Sequence, residues 1–171
     1  MEKHGVRLGS LVGAVFGLVF VLVNAAGLPG ALALRALAVV AFAAVVAALA
    51  RSTTESPAPT AGAIRTYWLC VLAEVLAIPV GAQVLTGLDE PDLVLCWVVL
   101  VVGVHFLPFA RAFRAPVFTP LGLALVLLAM VGAVGVLADL DDAQLWTAVG
   151  AGFVLLAFAA YGALRRPVAP A

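Results

Sequence analysis

Residues 87–116 read GLDEPDLVLCWVVLVVGVHFLPFARAFRAP. Asp89, Glu90 and Asp92 crowd one end, Arg111 and Arg114 the other, and His105 is the only strongly polar side chain from Leu93 to Ala110. About 20 apolar residues, rising 1.5 Å each, cross a hydrocarbon core about 30 Å thick. The stretch therefore reads as a transmembrane helix with an acidic end and a basic end. Working outward, five more runs of the same kind appear. The six spans are Leu8–Leu28, Ala31–Ala50, Ala63–Thr86, Leu93–Phe113, Val117–Ala138 and Leu145–Leu164. Turn formers join them: Leu28-Pro29-Gly30, the Ser/Thr/Pro-rich segment 52–59, Gly87–Pro91, Arg114-Ala115-Pro116 and Asp139–Asp142.

Composition agrees. Hydrophobic residues make up 65% of the 171 and charged residues 11%, with a mean hydropathy of +1.23. A soluble domain carries about 45–50% apolar and about 25% charged residues, and no soluble fold of this size has an interior large enough for the difference. The expected fold is an all-α integral membrane protein, a compact bundle of six transmembrane helices forming one domain over residues 1–171.

The cations set the orientation. With the N-terminus cytoplasmic, Lys3, Arg7, Arg51, Arg65, Arg111, Arg114, Arg165 and Arg166 fall inside and only Arg35 outside, while Asp89, Glu90, Asp92, Asp139, Asp141 and Asp142 occupy outer loops. Both termini are then cytoplasmic. One lysine against eight arginines, with heavy Ala, Val, Gly and Leu, is the usage of a high-GC bacterial genome and places the chain in the plasma (inner) membrane. A competing reading takes Lys3, Arg7, the first apolar run and Val23-Asn24-Ala25 as a cleaved signal peptide. The run is long for a signal core, and a Pro-Gly hairpin follows at once.

Gly5, Gly9, Gly13 and Gly17 stand at strict four-residue spacing, one bare stripe that lets a second helix approach closely. A neighbour in the same chain is the default partner; the alternative is the same helix of a second copy in a homo-oligomer. Ala148 with Gly152 and Ala129 with Ala133 form similar faces. Asn24–Pro29 parallels His105–Pro108 at two or three positions, too few to establish an inverted repeat.

Glu74 is the most informative residue. A lone carboxylate at mid-span must be protonated, paired or wetted. Tyr67, Cys70, Glu74, Ile78 and Gly81 share one side of their helix, which should face the bundle interior. His105, on the next and antiparallel helix, has matching depth and is the natural partner. The pair is read as an acid–base couple, Glu74 and His105, lining a cavity: a proton relay, a general acid and base, or the polar anchor of a ligand pocket. The alternative is an interhelical contact that only fixes register, worth under about 2 kcal/mol.

Asn24 and Gln83, near outer helix ends, are candidates for the mouth of the pocket, although such residues usually cap helices or meet headgroups. Trp97 lies at the same end as a lining or aromatic-belt residue; Tyr67, Trp68 and Trp146 also fit aromatic belts. Arg35 is expected to pair with an outer acidic loop or to snorkel, and Arg111 with Arg114 to meet anionic lipid headgroups.

Hydrolase, metalloprotease and phosphate-binding motifs are absent. Two cysteines, Cys70 and Cys96, are too far apart along the membrane normal for a disulfide. No metal, cofactor or nucleic-acid partner is expected. Three functions remain: a protein that binds or transports a small or lipophilic molecule, an intramembrane isomerase or cyclase using Glu74 and His105, and a non-catalytic subunit packing through its glycine stripe.

Overall fold

Three of the connections close in the same way, and they set the alternation of the helices. In the computed structural model, which describes residues 5–51 and 59–164, the helices are α1 (Gly5–Asn24), continued by a 3-10 turn at Ala25–Gly27, α2 (Ala31–Arg51), α3 (Ala61–Gly87), α4 (Leu93–Ala112), α5 (Phe118–Leu137) and α6 (Ala143–Leu164). The last three connections, 88–92, 113–117 and 138–142, are five residues each. In each, the second residue is left-handed: Asp89 at φ 61, Arg114 at φ 49 and Asp139 at φ 53. The following N–H then donates back to the last helical turn, Glu90 to Leu85 at 2.9 Å, Ala115 to Ala110 at 3.1 Å and Leu140 to Gly135 at 3.0 Å. Carbonyls that would otherwise be orphaned are satisfied before the chain reverses.

All six helices are long and apolar enough to cross a membrane. The all-α, six-span architecture stands, with helix ends within four residues of those read from the sequence. Lys3, Arg165, Arg166 and residues 52–58 lie outside the described residues.

Helix α6 is the hub. It packs on α1, α2, α4 and α5, whereas α3 packs on α4 alone among the described residues. Half of α6's apolar window is buried within the protein, against 0% of α3's.

The hub forms because helices in lipid gain nothing from leaving an apolar solvent and instead associate through close packing. A Cβ on Gly17 would stand 2.7 Å from the Gly152 carbonyl oxygen, and one on Gly152 would stand 2.6 Å from that of Gly17. The backbones of α1 and α6 touch there. Gly13 faces Ala159, and Ser10 lies against Gly162. The glycine stripe is thus taken up by α6 of the same chain, with Gly9 left open and Gly5 heading α1. A second close approach, between Gly103 of α4 and Gly122 of α5, was not read from the sequence.

Arg35 departs from expectation. Its Nε donates to the Leu22 carbonyl at 3.1 Å, in the last turn of α1. Helix carbonyls there lack intrahelical donors and carry the negative end of the macrodipole. The stray cation at the acidic end is therefore a helix cap and not a loop clamp. The acidic loops are tied instead by Gln144, whose Nε2 donates to Asp92 Oδ1 at 3.2 Å.

Gly152→Val is expected to destabilise the protein by about 1–3 kcal/mol through overpacking, read as a lower unfolding midpoint in detergent. Gly9→Ala, with nothing within 4 Å of its new Cβ, is expected to be neutral or to gain up to about 1 kcal/mol of helix propensity. Equal effects from the two would rule out the α1–α6 seam as the reason for the stripe.

Candidate functional site in the α3–α4 seam

Helix α3 shields one stripe only. Cys70, Val71, Glu74, Ala77, Ile78, Gly81, Ala82 and Leu85 are partly covered, at alternating spacings of three and four with doublets, while the rest of the helix surface is largely exposed. That stripe meets α4. Glu74 is the midpoint of α3, about 20 Å from either end at 1.5 Å per residue. His105, on α4, reaches it: Nδ1 stands 2.9 Å from Oε2, with the side chains 10% (His105) and 25% (Glu74) exposed. Nδ1 is buried and has no aligned hydrogen-bond partner. The carboxylate oxygen therefore approaches within ion-pair distance but off the ring N–H direction, and such contacts often align only when a ligand binds.

Rings cover the basic side of the pair. Phe109, one turn beyond His105, meets its imidazole edge-on at 4.6 Å between centroids. Tyr67 stacks on Phe109 at 5.9 Å, so rings run from His105 to the surface of α3. Phe106 stacks on Phe118 of α5 at 5.9 Å, holding this part of α4 against the bundle. Toward the acidic end, the Trp97 indole lies over Gly81 and its N–H donates to the Ala77 carbonyl at 2.9 Å. Its polar atom is spent on the α3 backbone and not on a headgroup.

Pro79 and Pro108 lie inside α3 and α4. Each lacks the N–H that would reach the carbonyl four residues back. Those carbonyls belong to Val75 and Val104, the immediate neighbours of Glu74 and His105. Two backbone acceptors next in sequence to the acid and the imidazole thus lack their usual helical donors at mid-span, where unpaired polar groups are costly in hydrocarbon.

The structure brings Glu74, His105, Tyr67, Cys70 and Trp97 to one seam and leaves two candidates apart. Asn24 donates through Nδ2 to the Phe20 carbonyl at 2.8 Å, on its own helix, and among the described residues α1 does not pack on α3. Gln83 is exposed, off the covered stripe. The expected setting also changes. The pair sits at the edge of the bundle, because α3 has α4 as its only helical neighbour among the described residues. An apolar groove of about 420 Å³ lies elsewhere, between the start of α5 and the end of α6, lined by residues including Pro120, Phe158 and Tyr161.

Sequence reasoning missed Phe109 and Pro79. Phe109 was within reach of it, since a residue four positions after His105 shares its helix face.

Both cysteines are free. Cys70 lies one turn from Glu74 on the same stripe, whereas Cys96 is buried beside Thr147 of α6. Among the described residues no cluster of three His, Cys, Asp or Glu side chains offers a metal site. Comparison with protein-family models, curated proteins and solved structures finds no match to this chain. Its class is that of a multi-pass membrane protein with six helices able to span the bilayer.

A double-mutant cycle on Glu74→Gln and His105→Leu, followed by unfolding in detergent, should give a coupling of about 0.5–1.7 kcal/mol, the range for interhelical polar contacts in membranes. Strict additivity would mean that the two side chains do not interact.

Proposed function

We propose that this protein binds a small lipophilic molecule at the α3–α4 seam, with Glu74 and His105 as its polar anchor, and that it does so in a bacterial plasma membrane with its basic end cytoplasmic. The observation that carries this is the 2.9 Å approach of a carboxylate and an imidazole at mid-span, a quarter of the acid being uncovered at the edge of the bundle. Ionisable groups at such depth face cavities, pathways or partners and mark functional sites.

Partial exposure of Glu74 at the edge of the bundle would let a ligand approach sideways from the hydrocarbon. A carboxyl group and an imidazole side by side can meet both donors and acceptors of a ligand. Lateral opening favours binding or transport over the isomerase or cyclase reading, which calls for an enclosed, water-free pocket. A second reading, a subunit that seats α3 against a larger membrane partner, draws support from α3 packing on α4 alone. The glycine stripe no longer serves that reading, because α6 occupies it.

In proteoliposomes a hydrophobic carbodiimide should modify Glu74, with a membrane-impermeant, water-soluble carbodiimide leaving it untouched; peptide mass spectrometry reads both. Failure of the hydrophobic reagent to modify Glu74, or faster modification by the aqueous one, would remove the lateral binding site.

A further inference from the structure

We infer that the α3–α4 site takes a hydrophobic organic monocation in exchange for a proton. This rests on the binding reading above and adds the charge of the ligand to it.

The inference starts from a census of charge at the seam. Helix α4 is the only helix packed on α3 among the described residues. The titratable side chains around Glu74 are His105 across the seam at 2.9 Å, Cys70 one turn away on the same stripe, and Tyr67 two turns away. No arginine or lysine lies on that stretch of either helix: the nearest, Arg65 and Arg111, stand toward the basic end. With a carboxylate beside a neutral imidazole, the seam would hold one negative charge with no fixed counter-charge at mid-span. That state is costly in hydrocarbon unless a cation arrives. An anion would be repelled, and a neutral lipophile would leave the charge uncompensated.

The surroundings suit a cation that is large and apolar. Tyr67, exposed and stacked on the buried Phe109, offers a ring at the surface of the seam, and π faces attract cations, most strongly where water is excluded. The Trp97 N–H, the positive edge that would oppose a cation, is engaged by Ala77. A small hydrated ion would have to shed its water at the bilayer centre, whereas an organic cation with delocalised charge partitions there.

The exchange balances: a neutral pair plus a cation gives a carboxylate–cation pair plus one proton released. A protonated imidazole at 2.9 Å would repel the same ligand, so proton and cation occupy the site alternately, as coupled transport requires.

Tetraphenylphosphonium and tetraphenylborate, similar in shape and opposite in charge, test this. With the purified full-length protein, phosphonium should bind with affinity that rises as pH rises, by up to about tenfold per pH unit, the limit for one proton exchanged. Calorimetry in buffers of different ionisation enthalpy should count about one proton released per cation. Phosphonium should also protect Glu74 from the hydrophobic carbodiimide, and borate should not. Glu74→Gln should weaken phosphonium binding at least tenfold while remaining folded; should that variant fail to fold, the wild-type protection experiment decides alone. Protection by both ions alike, or by neither, overturns the cation inference. If Glu74 is still modified by the hydrophobic carbodiimide in that case, the binding site itself survives; if it is never modified, the site falls as well.

Discussion

The contact between Gly17 and Gly152 organises the rest of the molecule. In water, two apolar helices associate because burial removes them from the solvent; in hydrocarbon that drive is gone, and close approach of backbones has to replace it. With no side chain on either residue, α1 and α6 meet carbonyl against Cα, which fixes α6 in the middle. Helices α2, α4 and α5 then find places around it, and Gly103 against Gly122 draws α4 onto α5 in the same manner. Once the positions around the hub are filled, α3 has only α4 left to join.

That outboard position explains the character of the polar pair. A carboxylate in the centre of a packed bundle would need a full set of partners, and a carboxylate facing lipid would need to be neutral at all times. At the edge of a two-helix seam Glu74 has a single strong neighbour, the His105 imidazole, and one open side. Rings cover the pair toward the basic end, and the Trp97–Ala77 hydrogen bond pins the seam toward the acidic end. Proline in each helix leaves the local backbone polar. The result is a polar spot at mid-span, bounded along both helices and partly exposed at the edge of the bundle.

The ends of the bundle obey the same accounting of polar groups. Three left-handed residues let the last N–H groups fold back on α3, α4 and α5. At α1, where the chain leaves through a short 3-10 turn, Arg35 supplies the donor. A cation that violates the charge asymmetry of the loops is accounted for by the dipole it caps.

Read alone, the sequence determined the six spans, their approximate ends and the depth of Glu74 and His105, because hydrophobic run length and helical rise are local properties that need no knowledge of neighbours. It also placed Cys70 and Glu74 on a common face, since helical periodicity is local too. It left open which partner the glycine stripe would meet, where Arg35 would donate, and whether Asn24 and Gln83 would join the acid. Those questions turn on which helices touch. In a chain whose helices are apolar on nearly every side, the amphipathic pattern that would mark the inward face is missing, so helix adjacency is decided by the fit of small residues across seams. Only the tertiary structure could therefore set α6 at the hub, move α3 to the edge and turn an expected interior cavity into a two-helix seam at the rim of the bundle.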